Sequence, residues 1–421
     1  MGKNCLKICV CLCVLFGGAV SISADTEREK LNFKEALEQA FDHNPAMVAA
    51  RQAVASAEGD LITARTLQNP EAELEFGGFK KDANDERDVR LNSIEIKQPF
   101  DPIGVWFFKQ KIASNQVKIG RETLRSTWSD VYQHVREVYS KVILNQKRLE
   151  LAEDNLNAMR QFFGRVQERY QSGLVLKNDF QRAKIEMLNA EHGFLSVQKE
   201  LASNRARLNL ALGRPMDTPF EVAEQLKEER LLLSIDQLKS LALANRPDIR
   251  IAGLELDSKN KNVVKAQLNR LPSYSVGFRR IDEDDEDDYA IVVGISLPLW
   301  NLNQGEIKKA KAEKAAQTVM SDAVKEEAMF QVYESYLEAE LAQKQFELSK
   351  KSLDEANELF RLANLRYSEG KIDFLNYLDQ VRTAAAAKVK YFEGLFELSR
   401  SMSALEASIY VSLRQEDFFN E

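Results

Sequence analysis

Hydrophobic positions recur along this chain with two different periods. From Leu124 to Tyr170 the seam positions follow alternating steps of four and three residues, and a single polar residue, Asn145, interrupts the apolar run. A matching segment of the second half, from Val332 to Tyr367, has the same period with smaller side chains. This heptad pattern predicts long helices in coiled-coil packing. Residues 71–76 instead alternate strictly between glutamate and apolar residues, which predicts a strand with one charged and one apolar face.

The chain also repeats its own order of signals. A shift of 202 residues places Pro45 on Pro247 and Pro70 on Pro272, and a shift of 197 places the Arg-Tyr-x-x-Gly sequence of residues 169–173 on that of residues 366–370. We therefore predict two copies of one structural unit, in residues 25–220 and 221–421.

Each copy is predicted to contain two helices, two strands, a very long helix and a last helix. In the first copy the helices cover residues 32–43, 45–67, 102–171 and 178–212, and the strands cover residues 71–79 and 89–98. In the second copy the strands cover residues 273–280 and 289–297, and the last two helices cover residues 304–368 and 374–412. A helix over residues 102–171 is about 100 Å long, which exceeds what one hydrophobic core needs.

The first residues have the order of a secretory signal peptide, predicted over residues 1–24. Lys3 and Lys7 precede an apolar run over residues 8–20, and small residues lead to Ala24. All four cysteines lie in this segment, so we expect no disulfide and no thiolate chemistry in the mature chain. Loss of the two lysines takes the formal net charge from −7 to −9, so nucleic acid is not an expected partner.

The predicted strands allow two interpretations. Each has about nine residues, which is the length that a tilted strand needs to cross a bilayer, but a soluble sheet packed on helices has the same alternation. Four strands cannot close a barrel, so a barrel requires an oligomer: two chains make eight strands with a filled interior, and three make twelve with room for water. Glu71, Glu73 and Glu75 of three chains would then line an acidic interior.

No pattern in the chain indicates catalysis. His43, His134 and His192 are scattered without the spacing of metal ligands, and the chain has no phosphate-binding glycine loop and no nucleophile elbow. We therefore expect no catalytic site, no cofactor and no metal site. Residues 282–288 are seven consecutive acids, which we interpret as a solvated loop between strands rather than a cation site.

Several motifs together resemble the TolC-like outer-membrane efflux family. They are the opening Leu-Asn-Phe-Lys-Glu-Ala at residues 31–36, Asn-Pro at residues 44–45, the duplicated unit and the two Arg-Tyr-x-x-Gly turns, and the resemblance extends over residues 31–412. Leu-Pro-Leu at residues 297–299 and Asn-Gln-Gly-Glu-Ile at residues 303–307 are similar to the branch that serves heavy-metal pumps, whereas residues 99–104 depart from that branch.

The resemblance implies a mainly α-helical protein with a membrane β part. Three copies would form a twelve-stranded β-barrel in the outer membrane of a Gram-negative bacterium, in contact with its lipid, above a long α-helical barrel in the periplasm. Loops 80–88 and 281–288 would face outside. The family implies a non-enzymatic channel that works with a periplasmic adaptor and an inner-membrane RND-type transporter, and exports small molecules or heavy-metal cations. A protein-secretion duct and a soluble periplasmic coiled-coil scaffold are the alternatives.

The same resemblance assigns the site residues. Residues 173–179 and 370–376 would form the periplasmic tip, whose candidate gate residues are Tyr170, Gly173, Asp179, Tyr367, Gly370, Asn376 and Asp379. Asp179 and Tyr367 are the candidates for a hydrogen bond that holds the tip closed. Asp379 matches a ring of acidic side chains around the pore, and Asn376 replaces the second acid of that pattern, so we expect one ring.

Overall fold

The computed structural model describes residues 29–77, 90–222, 224–283 and 286–412. The predicted signal peptide and the predicted loop over residues 80–88 lie outside these ranges. The elements, in chain order, are β1 (Glu29–Leu31), α1 (Phe33–His43), α2 (Pro45–Arg65), β2 (Glu71–Gly77), β3 (Arg90–Phe100), α3 (Val105–Gln171), α4 (Lys177–Ala211), β4 (Phe220–Val222), α5 (Ile235–Asn245), α6 (Pro247–Leu268), β5 (Ser273–Glu283), β6 (Glu286–Ser296), α7 (Gln304–Ser368) and α8 (Phe374–Ile409).

The helix starts follow from local capping chemistry. Asn32 accepts a hydrogen bond from the Glu35 backbone N–H at 2.8 Å, and the Glu35 carboxylate accepts one from the Asn32 N–H at 3.1 Å, which is a capping box. Ser234 and Gln237 form the same box at the start of α5. Proline then opens α2 and α6, where its missing N–H costs no helical hydrogen bond. Both repeats thus begin with the predicted pair of helices.

The strands correct one sequence prediction and add one pair that was not predicted. β5 and β6 extend to Glu283 and Glu286, and Asp282 pairs with Asp287, so the prediction of a loop over residues 281–288 is wrong for its described part. Asp282 and Asp288 are exposed, so the backbone ladder can continue through them without burying their carboxylates. The short parallel pair β1–β4 was not predicted, because three-residue strands have no measurable alternation.

The strands and helices form one lateral series. The larger sheet has the order β2-β3-β5-β6 with antiparallel neighbours. Close to the sheet, the helices lie in the order α2, α3, α6, α7, which is the order of the strands to which they connect. Farther from the sheet, the order is α4, α3, α8, α7. Thus α7 forms one lateral edge along its whole length, and α2 and α4 form the other edge.

Each repeat has a core midway along its long helix. The first surrounds the predicted seam of α3, with buried Val135 and Val142 packed against α1, α4, β1 and β4. The second joins α5, α7 and α8, and the predicted register of α7 is confirmed by the burial of Val332, Ala339 and Phe346. Small residues bring α7 and α8 close together: a Cβ on Gly394 would lie 3.0 Å from the Ser349 hydroxyl.

A buried ion pair joins the two repeats. Arg136 of α3 donates to the Glu406 carboxylate of α8 at 3.2 Å and to the Tyr132 hydroxyl at 2.7 Å. Both charged side chains are almost fully enclosed. Arg136 also lies 4.0 Å from the Glu229 carboxylate, and loss of Arg136 or Glu406 would leave buried charge poorly compensated, so the pair fixes the height of α8 against α3. Among the helices of the described ranges, none has an apolar stretch long enough to cross a bilayer.

Candidate functional site

Both Arg-Tyr-x-x-Gly sequences end a long helix in the same way. Gly173 has φ +75° and donates to the Tyr170 carbonyl at 3.0 Å, while the next N–H donates to the Arg169 carbonyl at 2.9 Å. The second turn repeats these bonds at 3.1 and 2.8 Å around Gly370, which has φ +70°. This is a Schellman motif, in which glycine supplies the left-handed residue. The motif therefore reverses the chain from α3 into α4 and from α7 into α8.

An aromatic stack closes each of these turns. Tyr170 lies on Phe180 with ring centroids 4.8 Å apart, and Tyr367 lies on Tyr377 at 4.4 Å. The Tyr377 hydroxyl donates to the Asn364 side chain at 2.9 Å, and burial raises the pKa of Tyr377. The stacks hold the first turn of the returning helix against the last turn of the long one. Phe180 and Tyr377 were not among the predicted site residues, although both occupy the same position after their glycine.

The predicted acidic residues of the tips lie near the starts of α4 and α8. Asp179 is half-buried in the first turn of α4, and within the described residues no hydrogen bond joins it to Tyr367. Asp379 is exposed on α8, and the Asn376 N–H donates to the capping carboxylate of Asp373 at 2.8 Å. The closing hydrogen bond stays a prediction, and so does the acidic ring, which needs one Asp379 from each of several copies.

The two helical hairpins contact each other above the tips. Leu378 of α8 is buried with Leu156, Met159 and Ala190 of α3 and α4. Arg382 of α8 also forms an ion pair with Glu186 of α4. Near the tips, the hairpins are connected by this apolar cluster and this ion pair. Below them each turn has its own aromatic stack, and the first turn also has a buried cluster of Phe162, Val166 and Ala183.

The predicted acidic face is formed by β2. Glu71, Glu73 and Glu75 lie on one exposed face, and Lys97 of β3 stands beside them. The Lys97 ammonium lies 3.3 Å from the Glu73 carboxylate and 3.6 Å from that of Glu71, and the Ser93 hydroxyl donates to Glu75 at 3.0 Å. The three acids therefore share a face as the alternation predicted, but a lysine offsets part of their charge.

A second ion pair continues this polar face across the sheet. Arg279 of β5 stands opposite Glu95 of β3 and donates to its carboxylate, with Nε at 2.8 Å. Gly277 and Gly294 lie on the same face, where the neighbouring strands leave little room for a side chain: a Cβ on Gly277 would lie 2.9 Å from the Ile96 carbonyl oxygen. Sequence reasoning missed Arg279, because alternation fixes the face of a residue but not its partner on the neighbouring strand.

The opposite face of the sheet is apolar and ends in aromatic pairs. Phe100 stacks on Tyr274 at 5.2 Å near the helices, and Phe278 stacks on Tyr289 at 5.7 Å toward the hairpin end. Exposed Val276 and Val293 lie between the stacks. Tyr289 pairs with Arg280, which is six residues from Tyr274 on β5. At about 3.4 Å per residue, the two ends of the apolar face are therefore about 20 Å apart along the strand. A face of this composition suits an apolar medium bounded by two polar ones.

The comparisons identify proteins with this architecture. A family model described as outer membrane efflux protein matches residues 36–214 and 238–409. The cobalt-zinc-cadmium resistance protein CzcC of Cupriavidus metallidurans is 23% identical over 380 residues, which are 89% of this chain and 89% of CzcC. The toluene efflux pump outer membrane protein TtgF of Pseudomonas putida is 23% identical over 336 residues, which are 75% of this chain and 68% of TtgF. The Campylobacter jejuni CmeC outer membrane channel has a similar structure, with a TM-score of 0.77 at 13% identity over 96% of this chain and 94% of that one.

Proposed function

The chain belongs to the outer membrane efflux protein family, and we propose that three copies of it form the exit duct of a tripartite efflux pump. As a member of this family it is an efflux channel component of the outer membrane of a Gram-negative bacterium. Its proposed partners are a periplasmic adaptor and an inner-membrane RND-type transporter. Its proposed action is passive: the cargo moves along the lumen, and no covalent bond forms or breaks.

The two-faced sheet is the observation that carries this proposal. Its apolar face is exposed and bounded by the stacks at Phe100 and Phe278, while its other face holds ion pairs. Three such sheets supply twelve strands, which can close with the apolar faces toward lipid and the polar faces toward water. The helices α3 and α7, with 67 and 65 residues, then extend about 100 Å from the membrane.

The two tip turns are the proposed gate. Each long helix is reversed by a glycine and closed by one aromatic stack, and the connection between the hairpins lies above them. An adaptor that binds the tips could therefore part the hairpins below Leu378 without opening the cores of the two repeats. Asp179 and Tyr367 would lose their proposed closing hydrogen bond in this step, and Asp379 would line the entrance.

Heavy-metal cations are the proposed cargo. The support is the 89% coverage of CzcC, whose name states resistance to cobalt, zinc and cadmium. Small organic molecules are the second candidate, because TtgF, a toluene efflux protein, also matches 75% of this chain. The protein-secretion duct is not favoured by any of these relatives.

The first test is the location and assembly of the mature protein. We expect it in the outer-membrane fraction as a trimer that migrates differently in SDS gels before and after boiling. A monomer released with the soluble periplasmic proteins would overturn the proposal and favour the coiled-coil scaffold.

The cargo test is deletion of the gene followed by growth with cobalt, zinc, cadmium or toluene, with the intact gene supplied on a plasmid as control. Sensitivity to toluene alone would replace the metal cargo by the organic one.

A further inference from the structure

A cavity of about 710 Å³ lies where the first repeat changes from sheet to helix. It is lined by the end of α2, the end of β3, the start of α3 and the first residues of β5. Phe100 and Tyr274, the stacked pair that ends the apolar face of the sheet, form part of its wall. The cavity therefore adjoins the apolar face at the end of the sheet that is nearer to the helices, and its volume is sufficient for a small ligand.

The lining combines apolar side chains with one pair of charges. Leu67, Ile103 and Trp106 join the aromatic pair, and all three are exposed. Among the described residues that line the cavity, Asp101 and Lys109 are the two charged ones. Tryptophan is enriched where a membrane meets water, because its ring has an apolar body and a polar N–H. A lining of this kind suits a molecule that has both acyl chains and a charged headgroup.

The charged pair is specific to the first repeat. Lys109 is the fifth residue of α3, and Lys308 is the fifth residue of α7. Four residues before the helix, however, the first repeat has Asp101 and the second has Trp300. Residues 99–104 are the segment that departs from the heavy-metal branch. The departure thus places an acid beside a lysine whose position both repeats share.

The pair retains unused hydrogen-bonding capacity. The Lys109 ammonium donates to Asp101 Oδ2 at 2.6 Å, and the Gln68 amide donates to Oδ1 at 3.2 Å. An ammonium has three N–H donors, and a carboxylate has acceptor positions for about four hydrogen bonds. Within the described part of the chain, these contacts use one donor of Lys109 and two acceptor positions of Asp101. The side chains are 41% and 22% exposed, so a further group can reach both.

The remaining donors and acceptors fit a headgroup that carries both charges. Phosphate oxygens accept hydrogen bonds from Lys109, and a primary ammonium donates to Asp101. Because the pair has no net charge, a headgroup that is only anionic is attracted less, and the quaternary ammonium of choline has no N–H to donate. The N-cap of α3 is Gly104, which provides no side-chain cap, so the positive end of the helix also favours a phosphate there.

We propose that this cavity binds a phospholipid with an ethanolamine headgroup on the periplasmic side of the outer membrane. The phosphate bonds to Lys109, the ammonium bonds to Asp101, and the acyl chains extend past Phe100 and Tyr274 onto the apolar face. The inference rests on the proposed duct, in which that face lies against lipid. It specifies the headgroup that the protein selects where the sheet ends.

Native mass spectrometry of the detergent-purified trimer tests the choice of headgroup. The trimer is freed of lipid and mixed with phosphatidylethanolamine, phosphatidylglycerol or phosphatidylcholine that have the same acyl chains. We expect phosphatidylethanolamine to bind most tightly. Asp101→Asn should weaken its binding about tenfold, because one charge-assisted hydrogen bond is lost. The same change should strengthen the binding of phosphatidylglycerol, because Lys109 then keeps an uncompensated positive charge.

Two lysine variants separate the cavity from general positive charge. Lys109→Gln should weaken the binding of all three lipids, since each of them has the phosphate. Lys308→Gln is the matched control in the second repeat, where the lysine is exposed, and it should change none of them. Equal losses in the two variants would overturn the site. A wild-type trimer that binds the three lipids equally would also overturn it and leave the duct intact, whereas a soluble monomer would remove the duct and the site together.

Tryptophan fluorescence provides a second measurement that leaves the charged pair unchanged. The chain has three tryptophans, and the Trp128→Phe, Trp300→Phe variant retains Trp106 alone. In phosphatidylcholine vesicles with a small fraction of brominated lipid, we expect brominated phosphatidylethanolamine to quench Trp106 more than brominated phosphatidylcholine does. The Trp106→Phe, Trp128→Phe variant is the control: its Trp300 is 89% exposed, and the two lipids should quench it equally. Equal quenching of Trp106 by both lipids would contradict the proposal.

Discussion

Gly213 avoids two energetic costs that alanine would bring at this position: a strained left-handed backbone and a steric clash. Comparison with Gly173 and Gly370 separates the two. Gly213 has φ +75° directly after α4, and an added Cβ would lie 2.7 Å from the carbonyl carbon of His43 and closer still to its oxygen. Gly173 and Gly370 have φ +75° and +70°, but no described atom lies within 4 Å of a Cβ at either position. The three glycines therefore share a backbone conformation and differ in the space around them.

The magnitudes follow from these two terms. A residue with a Cβ in the left-handed region costs about 1–2 kcal/mol, so Gly173→Ala and Gly370→Ala should lower the free energy of unfolding by about that amount. At Gly213 the neighbouring atoms are backbone and cannot rotate away, which adds about 1–3 kcal/mol of overpacking. The shift also strains the bond from the Asn44 side chain to the Ala211 carbonyl, now 2.8 Å long. We expect Gly213→Ala to cost about 2–5 kcal/mol.

The assay is urea unfolding of the detergent-solubilised protein, followed by far-UV circular dichroism. All variants need the same protein concentration, because the stability of an oligomer depends on it. We expect the highest urea midpoint for the wild type, a lower and shared midpoint for Gly173→Ala and Gly370→Ala, and the lowest midpoint for Gly213→Ala. Equal shifts for all three variants would refute the reasoning, since they would mean that backbone conformation alone sets the cost and that the α4–α1 junction relaxes freely.

Three further predictions concern the charges and the buried tyrosine. Glu406→Leu should cost about 3–5 kcal/mol because it removes the nearer of two carboxylates from the buried Arg136; the second, that of Glu229, lies 4.0 Å away. Glu406→Leu with Arg136→Met should recover part of that loss, and additive costs in urea unfolding would contradict this. In planar bilayers under a KCl gradient, Arg279→Gln should raise cation selectivity and Glu73→Gln should lower it; reversal potentials that shift in the same direction in both would contradict the proposed lumen. Burial raises the pKa of Tyr139 above its ordinary value of 10.0, so the folded state keeps its proton where the unfolded state loses it; stability should fall as the pH rises above about 10, and Tyr139→Phe should flatten that fall in pH-dependent unfolding.

Both repeats have a hydrogen bond between their second and last helices at the same place, but different residues donate it. Asn44, before the proline of α2, donates to the Ala211 carbonyl at the end of α4 at 2.8 Å. Arg246, before the proline of α6, donates to the Ser408 carbonyl at the end of α8, also at 2.8 Å. One side chain is a neutral amide and the other a guanidinium, yet each ties the last helix of its repeat to the second one. The carbonyl at the end of a helix needs a hydrogen-bond donor, and either an amide or a guanidinium can be that donor.

Local signals in the sequence determined most of the secondary structure. Capping boxes, the prolines at the first helical positions and the Arg-Tyr-x-x-Gly turns depend on backbone bonds within a few residues, so they define the helix ends without knowledge of the fold. The heptad seams of α3 and α7 were predicted in the correct register for the same reason, because an amphipathic helix records in its period which face is buried. The ends of β5 and β6 were misjudged, since backbone pairing across a hairpin can continue through residues whose acidic side chains favour solvent.

Only the tertiary structure decided which faces and charges meet. Alternation placed Glu71, Glu73 and Glu75 together, but the register between strands placed Lys97 beside them and Arg279 against Glu95. The lateral order of the helices likewise made α7 one edge of the chain, and α2 and α4 the other, which the heptad pattern did not predict. A periodic sequence specifies the direction of a side chain relative to its own helix or strand. Its neighbour is specified by contacts between residues far apart in the chain, and these exist only after the elements have packed.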